Sequence, residues 1–295
     1  MPPSRSRSST SRADPGLHPA PPLPEGRTVE LAGGATTFVR EVAGPRGAPV
    51  VMLLHGLTAV ADLNWFAVFE SLGARFRVIS AEHRGYARGP ALVGRCRLED
   101  LADDAVAVAD ALGVDRFVPV GYSMGGAVAQ LVWHRHPHRV AGLVLAGTAS
   151  VFRVSAREHL LSRLLPAAST AARARPSTAG RYVGSTLRAR FAGSPHARWA
   201  VAELACHRPA TMLAWAAALA RFSSRSWIAG VDVPTAVVAT SRDVLVPTGR
   251  QLSMAAAIPG ARVVHLDGDH GVFITGQSAF AAALVEACTL VTSTG

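Results

Sequence analysis

The sequence predicts an α/β fold: a doubly wound, mostly parallel sheet with a helical insertion. Apolar segments of strand length alternate with segments of helix length over residues 27–150 and again over 231–295. The strand-length segments are continuously apolar, which is typical of parallel strands covered on both faces. Alternation of this kind produces right-handed crossovers, with helices on both sides of the sheet. The alternation is missing from 151–230, which predicts an insertion into a single α/β core.

The first two predicted strands form an antiparallel hairpin through Gly33 and Gly34, and the remaining strands alternate with helices. The predicted strands are Thr28–Leu31, Thr36–Val42, Pro49–Leu54, Phe76–Ser80, Arg116–Val120, Val140–Ala146, Thr235–Ala239 and Arg262–Leu266. The predicted helices lie near Trp65–Leu72 and at Leu98–Leu112, Met124–His134, Thr248–Ala257 and Ser278–Leu290.

Residues 1–26 consist largely of Ser, Arg and Pro and contain few apolar side chains. This composition predicts a flexible tail, with an Arg-rich address or an anion-binding arm as the alternative. A secretory signal needs an apolar stretch of about 7–15 residues, which these residues do not contain. No apolar run of the sequence reaches the ~18–20 residues of a membrane span. A cytoplasmic location is therefore expected.

Residues 151–230 are predicted to form a helical lid that is rich in Ala and Arg. Breaks in its helices are expected at Pro166, Pro176, Gly180, Pro195 and Pro209. The segment contains twelve Arg and two Glu, so its net charge of +10 equals that of the whole chain.

This charge has two interpretations. The chain contains Arg but no Lys, which is typical of a GC-rich genome, and the lid would then be a solvated surface. Alternatively, the lid meets an anionic partner, either an anionic lipid surface or a phosphate-bearing substrate. Nucleic acid is not expected, because no recognition motif accompanies the charge.

The three cysteines, Cys96, Cys206 and Cys288, are an odd number without the spacing of metal ligands. Neither a disulfide framework nor a zinc site is expected, which agrees with a reducing compartment. Each cysteine is predicted to be a small buried side chain.

A candidate nucleophile lies in Gly121-Tyr122-Ser123-Met124-Gly125, between a predicted strand and a predicted helix. Gly-x-Ser-x-Gly in this context is typical of a nucleophile elbow, in which a strained turn lifts the serine above the sheet. The glycines avoid collisions with the neighbouring strand and helix. The helix start adds positive potential and the free amide of Met124. The alternative is an ordinary Gly-rich turn, which would need no serine.

Serine is a poor nucleophile without an adjacent base, and His270 is the candidate base. It follows the last predicted strand in the turn-rich segment Asp267–Gly271, where the loop can reach the elbow. The alternative is a surface histidine. His134, His136 and His138 lie near the far end of the helix after Ser123, about 15–20 Å away at 1.5 Å per residue.

Four motifs resemble the α/β-hydrolase superfamily, specifically its small esterase, lipase and haloperoxidase-like branch. They are LLHGL at Leu53–Leu57, EHRGYARG at Glu82–Gly89, GYSMGG from Gly121, and GDHG at Gly268–Gly271. The resemblance extends from about Thr28 to Leu290 and is least specific over 151–230. The second motif departs from the usual Asp-x-Arg-Gly-x-Gly at Glu82 and Ala87. That turn is structural, so the departure does not affect the chemistry.

The resemblance implies a role for several further residues. His270 would be the base and Asp243 the acid, in the order Ser–Asp–His along the chain. Asp267 and Asp269 are rivals for the acid, although residues so near His270 do not fold back easily onto its ring. The amides of Leu57 and Met124 would form the oxyanion hole, and His55 would brace the loop. Trp65 and Tyr122 are candidate pocket residues, with core packing as the alternative for Trp65.

The expected function is hydrolysis of carboxylic esters through an acyl-enzyme intermediate, without a metal or organic cofactor. The substrate would be a small ester or thioester. A thioesterase, a lactonase or a cofactor-free haloperoxidase would use the same three side chains. Serine rather than aspartate at position 123 disfavours epoxide hydrolase and haloalkane dehalogenase chemistry. The alternative from another class is a non-catalytic binding protein, whose usual sign is a broken triad.

Overall fold

The computed structural model describes residues 20–153, 156–174, 196–205 and 208–293. These residues contain one eight-stranded sheet in the order β1-β2-β4-β3-β5-β6-β7-β8. Strands β1 and β2 pair antiparallel with each other and β2 with β4, and all other pairs are parallel. The strands are β1 (Gly26–Glu30), β2 (Thr36–Val42), β3 (Val50–Leu54), β4 (Arg77–Ala81), β5 (Val118–Tyr122), β6 (Leu143–Ala146), β7 (Thr235–Thr240) and β8 (Arg262–Leu266).

Ten α-helices are found in the described residues. They are α1 (Ala61–Trp65), α2 (Phe69–Gly73), α3 (Leu98–Ala111), α4 (Met124–Arg135), α5 (Ala156–Ala174), α6 (Ala197–Ala205), α7 (Pro209–Leu219), α8 (Thr248–Ala257), α9 (Val272–Thr275) and α10 (Gln277–Thr292). Helices α5, α6 and α7 lie in the segment between β6 and β7. The predicted mostly parallel α/β sheet is confirmed.

The sheet is covered on both faces because alternate side chains of its apolar strands enter two separate clusters. In β3, Met52 and Leu54 join a cluster that includes residues of α3 and α4. Val51 and Leu53, on the opposite face, join a cluster that includes residues of α1, α2 and α10. Both faces of a central strand are therefore dry, which explains its continuous apolar sequence.

Parallel strands bring their carboxyl ends to the same edge of the sheet, and the loops that follow them meet there. Four loops carry the predicted site residues to this edge. They follow β3 (His55–Leu57), β5 (Ser123), β7 (Asp243) and β8 (His270).

The prediction of one helix near Trp65–Leu72 was wrong, because two short helices, α1 and α2, occupy this region. Helix α1 begins earlier than predicted, where the amide of Ala61 donates to the carboxylate of Glu82 at 3.1 Å. The two residues are 21 positions apart, so no local pattern could indicate this start.

Strand β6 begins at Leu143, three residues later than predicted. Val140 makes only an isolated bridge with Phe117. Gly142 lies between Val140 and the start of β6 at Leu143. A β-carbon at Gly142 would lie 3.0 Å from the side chain of Val291 in α10. The absence of a side chain at this position allows α10 to approach the strand closely.

The predicted helix break at Pro166 was also wrong, since this proline lies inside α5. Proline removes one backbone hydrogen bond and usually kinks or ends a helix, at a cost of about 3 kcal/mol. Tertiary contacts offset this cost: Ala172 is buried, and the hydroxyl of Ser169 donates to the carbonyl of Ala210 in α7 at 2.8 Å. Pro209 does mark a boundary, as the first residue of α7. The breaks expected at Pro176, Gly180 and Pro195 lie outside the described residues.

The predicted tail is only partly described, because residues 1–19 lie outside the described residues. Three of the described residues that precede β1 contact the rest of the chain, while Ala20, Pro22 and Glu25 are exposed. Pro21 is buried, Leu23 contacts the cluster around α10, and the carbonyl of Pro24 accepts a hydrogen bond from Arg40. In the described ranges, no helix has the length and apolar character that crossing a membrane requires.

Cys96 and Cys288 are buried, and neither forms a disulfide with a described residue. Cys206 lies outside the described residues. Burial raises the pKa of the Cys288 thiol to about 12. This thiol is therefore unreactive at neutral pH.

Candidate active site

Ser123 lies on a sharp turn between β5 and α4. Its φ of 56° and ψ of −116° make it the one non-glycine residue with positive φ in the described part of the chain. Such a conformation costs about 1–3 kcal/mol and persists only where the surroundings impose it. Here its amide donates to the carbonyl of Ala146, and its carbonyl accepts from the amide of Gly126 and the hydroxyl of Thr148.

The glycines around Ser123 are required because the backbone segments approach each other closely. A β-carbon at Gly125 would lie 1.9 Å from the carbonyl oxygen of Leu54, and one at Gly121 would lie 2.2 Å from the carbonyl oxygen of Gly125. At Gly126, a β-carbon would lie 2.4 Å from the side chain of Thr148. Real β-carbons do not approach other atoms this closely, so only glycine fits at these three positions.

The structure brings Ser123, His270 and Asp243 together in one hydrogen-bonded chain. The Nε2 atom of His270 lies 2.9 Å from Oγ of Ser123, and its Nδ1 atom lies 2.6 Å from Oδ2 of Asp243. The three residues are separated by 120 and 27 positions along the sequence, and all three side chains are largely buried.

Asp243 is held as an ionised acceptor. Its Oδ1 atom accepts hydrogen bonds from the amides of Leu245 and Val246, and its Oδ2 atom accepts from the hydroxyl of Thr240 at 3.0 Å. Burial by itself raises the pKa of this carboxyl, but the hydrogen bond and the charge of His270 outweigh burial and hold the pKa below its usual value. A carboxylate in this state favours the proton of His270 on Nδ1, which leaves Nε2 free to accept the proton of Ser123.

The two rival carboxylates have other partners. Asp267 is exposed and accepts hydrogen bonds from Ser241 and Arg242. Asp269 accepts the amide of Gly271 at 2.7 Å. The carboxylate that meets Nδ1 of His270 is that of Asp243, at 2.6 Å. Geometry therefore favours Asp243 as the partner of the imidazole.

The amide of Met124 adjoins Ser123, and the loop after β3 that contains Leu57 passes close to it. Met124 is the first residue of α4, so its amide has no acceptor within the helix. The loop after β3 passes close to the serine, since a β-carbon at Gly56 would lie 3.4 Å from Cβ of Ser123. The next residue is Leu57, whose carbonyl accepts the hydroxyl of Tyr86 at 2.7 Å. That contact fixes the backbone of Leu57 in the part of the loop that adjoins Ser123.

His55 braces this loop from below. It is fully buried, its Nδ1 lies 2.9 Å from the carbonyl oxygen of Gly56, and its Nε2 accepts the amide of His83 at 3.1 Å. Burial and the neighbouring His55 hold the pKa of His83 well below its usual value, so that ring is neutral at neutral pH. Glu82 lies 3.2 Å from Nε2 of His55 and also accepts the amide of Ala61. Glu82 thus contributes to the structural turn in which it replaces the usual aspartate of the motif.

Trp65 and Tyr122, the candidate pocket residues, lie in the core instead. Both are at most 1% exposed. Trp65 stacks on Phe280 in α10 with 6.0 Å between ring centroids. The hydroxyl of Tyr122 donates to the carbonyl of His270 at 2.9 Å, so this side chain supports the backbone of the histidine. Both residues bury aromatic surface in the core. Large aromatic side chains are found in cores and in pockets alike, so the sequence could not distinguish the two positions.

Sequence reasoning missed three side chains that position the site. Thr148 bonds the carbonyl of Ser123, Gln251 donates to Thr240 beside Asp243, and the Oδ1 atom of Asn64 accepts the amide of Gly56. Each acts on a residue 8 to 25 positions away. No motif includes them, and only the packing of separate loops reveals their roles.

Taken together, these groups can activate a hydroxyl and stabilise a negatively charged oxygen. A histidine between a hydroxyl and a buried carboxylate is an arrangement that can take up a proton from the hydroxyl. The amide of Met124 at the start of α4 is a donor of the kind that stabilises a developing oxyanion, for which each such donor contributes about 3–4 kcal/mol.

Comparisons with known proteins agree with this architecture. A family model described as the alpha/beta hydrolase fold matches residues 49–277. A protein of Azorhizobium caulinodans whose name proposes carbamate hydrolase activity (RutD) is 28% identical over 261 residues, which cover 87% of this chain and 96% of that protein. The pimeloyl-[acyl-carrier protein] methyl ester esterase of Chromobacterium violaceum is 29% identical over 250 residues, 81% of this chain and 93% of the esterase. The crystal structure of a hydrolase from Pseudomonas aeruginosa PA01 superposes with a TM-score of 0.75 at 26% identity and covers 90% of this chain and 98% of that one.

Proposed function

Because the chain belongs to the alpha/beta hydrolase fold family and is a hydrolase, we propose that it cleaves carboxylic esters of small molecules through an acyl-enzyme intermediate. Ser123 is the nucleophile, His270 the general base and acid, and Asp243 the group that orients the imidazole. The amides of Leu57 and Met124 form the oxyanion hole.

One observation carries the proposal: the unbroken chain from Oγ of Ser123 through His270 to the carboxylate of Asp243, at 2.9 and 2.6 Å. A non-catalytic member of the fold would have no need to keep a strained serine in line with a buried histidine–carboxylate pair. The relative named as a methyl ester esterase adds support for ester chemistry.

The reaction begins when Oγ of Ser123 bonds to the carbonyl carbon while Nε2 of His270 takes the hydroxyl proton. The carbonyl electron pair moves to oxygen, where the amides of Leu57 and Met124 stabilise the charge. The intermediate then reforms the carbonyl and breaks the bond to the alcohol, which receives the proton from His270. Water repeats both steps on the acyl-enzyme, releases the carboxylic acid and restores the serine.

The test is hydrolysis of short-chain p-nitrophenyl esters together with labelling by a fluorophosphonate probe. The wild type is expected to turn over the esters and to be labelled, and Ser123→Ala to lose both properties. Ser253→Ala is the matched control, since this serine is exposed on α8 and its hydroxyl donates to the carbonyl of Gly249 in the same helix. If the wild type hydrolyses no ester or thioester, or if Ser123→Ala retains labelling, the proposal is overturned.

The same side chains would serve a thioesterase, a lactonase or a cofactor-free haloperoxidase, so the leaving group needs its own experiment. We propose ester cleavage ahead of these because a methyl ester esterase aligns with most of the chain. A panel of esters, thioesters and lactones of graded chain length, compared by kcat/KM, would identify the preferred class. A preference for thioesters or lactones of more than about tenfold, a difference of ~1.4 kcal/mol, would replace ester cleavage.

We also propose that residues 151–230 act as a lid over the site. Contacts of its described helices with the core support this role: Trp199 of α6 packs edge-on against Phe66 at 5.2 Å, and Glu158 of α5 pairs with Arg250 of α8 at 2.7 Å. Whether the Arg-rich lid meets anionic lipid can be tested by sedimentation with anionic and neutral vesicles. Binding that is absent, or that does not weaken with salt, would contradict an electrostatic lipid contact.

A further inference from the structure

Gln130 lies inside α4, the helix that follows Ser123, and its side chain is completely buried. Its Nε2 atom donates to the carbonyl oxygens of Gly126 at 3.1 Å and of Ala149 at 3.2 Å. Its Oε1 atom accepts the hydroxyl of Ser224 at 2.6 Å. Two carbonyl oxygens on one side and a hydroxyl on the other determine which end of the amide is the donor. Both ends of this buried polar group are therefore satisfied.

The partners of this side chain outside α4 lie at the two ends of the 151–230 segment. These ends are paired with each other. The amide of Ser224 donates to the carbonyl of Ser150 at 2.8 Å. The adjacent residues Val151 and Ser223 form an antiparallel bridge. One buried amide on α4 therefore bonds the place where the segment leaves the core to the place where it returns.

The same contacts support the strained turn of Ser123. Its carbonyl accepts the hydroxyl of Thr148 at 2.8 Å and the amide of Gly126 at 2.9 Å. Gln130 bonds the second of these residues directly and bonds Ala149, the chain neighbour of the first. A non-glycine residue with positive φ keeps its conformation only where the surroundings impose it. The position of Ser123 therefore depends on contacts that Gln130 holds in place.

We propose that Gln130 is a positioning residue for the nucleophile, which it couples to the base of the 151–230 segment. This role rests on the proposed function, in which Ser123 attacks the substrate. Without the amide of Gln130, the backbone of Ala149 loses its bond to α4, and the hydroxyl of Thr148 moves with it. The carbonyl of Ser123 then loses a donor, and the serine hydroxyl is less well aligned with the imidazole. A displacement of the ends of the segment reaches the serine by the same route.

The test compares the rate constants for labelling by a fluorophosphonate probe in Gln130→Met, Thr148→Val and the double variant. Methionine keeps the length of glutamine without its amide, and valine keeps the shape of threonine without its hydroxyl. Each single variant is expected to be labelled about tenfold more slowly than the wild type, the factor that corresponds to the loss of one hydrogen bond. Because both side chains act on Ser123 by one route, the double variant should be labelled at most about twofold more slowly than the slower single variant.

Val132→Ala is the matched control, because Val132 is a fully buried residue of the same helix that packs in an apolar cluster. It should lower the urea midpoint of unfolding, as Gln130→Met does, but leave the labelling rate constant within about twofold of the wild type. The proposal is overturned if Gln130→Met is labelled at the wild-type rate or if Val132→Ala slows labelling equally. It is also overturned if the double variant shows the product of the two single effects, since a general loss of stability would act in this way.

Ser224→Ala replaces Gln130→Met if the methionine variant does not fold. It removes one hydroxyl and leaves Oε1 of Gln130 without its donor. Labelling should be about threefold slower than in the wild type, because the amide loses one of its partners. The effect should again disappear in combination with Thr148→Val, and independent effects of the two substitutions would overturn the proposal.

Hydrogen exchange of backbone amides distinguishes a failure of this inference from a failure of the proposed function. The amides of Ser123 and Gly126 are bonded within the turn and should exchange about tenfold faster in Gln130→Met than in Val132→Ala. If the wild type is not labelled by the probe, the proposed function fails, while the exchange rates still decide whether Gln130 holds the turn. Equal exchange rates in the two variants would overturn its positioning role.

Discussion

At the scale of single residues, the arrangement around Asp243 decides how the site can work. The carboxylate accepts two backbone amides, one hydroxyl and the imidazole, so every polar atom of the buried group has a partner. Its depressed pKa keeps it ionised throughout the neutral range. A fixed charge on this side of His270 selects the tautomer that leaves Nε2 facing Ser123.

The variant Asp243→Asn tests this role. Asparagine at this position would offer an amide in place of a charge and would favour the wrong tautomer of His270. We expect kcat for p-nitrophenyl ester hydrolysis to fall about 10³–10⁴-fold while the fold is retained. Asp267→Asn, which changes an exposed aspartate near the same histidine, serves as the control and should change kcat little. Equal losses in the two variants would contradict the assignment of Asp243.

At the scale of elements, the elbow depends on the fit between β3, β5 and α4. Gly125 lies at the start of α4, directly against the carbonyl oxygen of Leu54 at the end of β3. The helix start can approach the strand only because no side chain intervenes. The same close approach sets the position of Ser123 and of the amide of Met124, so the geometry of the site is a property of how these elements pack.

Gly125→Ala is expected to separate α4 from β3, since its β-carbon would lie 1.9 Å from Leu54. We expect loss of activity and a decrease of about 2–4 kcal/mol in the free energy of unfolding, measured by urea denaturation.

Gly249→Ala provides the opposite case in α8, where no atom lies within 4 Å of the added β-carbon. Alanine has a higher helix propensity than glycine, so this variant should gain about 0.5–1 kcal/mol and keep its activity. Similar stabilities for the two variants would show that the contact at Gly125 does not constrain the elbow.

At the scale of the whole molecule, charged groups link parts of the chain that are distant in sequence. Asp62 in α1 accepts a bidentate pair of hydrogen bonds from Arg40 in β2, at 2.6 and 2.8 Å, and a further one from Arg88 after β4 at 2.7 Å. Burial raises the pKa of Asp62, but the two arginines outweigh burial and lower it overall. This cluster joins the antiparallel edge of the sheet to the helix that follows the loop after β3.

Asp62→Asn should lower the free energy of unfolding by about 2–3 kcal/mol near neutral pH, because two arginines lose their partner. The folded-state pKa of Asp62 lies below the unfolded value of about 3.9. The stabilisation is therefore fully present above the unfolded pKa and is lost as the pH falls through the folded pKa.

Urea unfolding of the wild type and of Asp62→Asn, measured from neutral pH to about pH 3, checks this prediction, since their difference should shrink below about pH 4. Asp115→Asn is the control, because Asp115 is exposed and its side chain makes no ion pair with the described residues. A difference that stays constant down to the lowest pH would refute the role of the charge.

Local sequence was sufficient to predict most of the fold and the candidate nucleophile Ser123, whereas Asp243 and Leu57 became candidates through the family resemblance. Continuous apolar runs identify the strands, because a strand that is buried on both faces needs apolar side chains at every position. The glycines around Ser123 also indicate the sharp turn from sequence alone, because the turn has no space for side chains at these positions. Helix α8 and strand β8 have the predicted bounds.

Tertiary structure alone decided the features that depend on contacts between distant residues. The start of α1 depends on Glu82, the continuity of α5 through Pro166 depends on α7, and the burial of Trp65 depends on α10. A residue and its neighbours in sequence do not indicate which segment packs against them. The packing partner is determined by the strand order and the crossovers of the whole sheet.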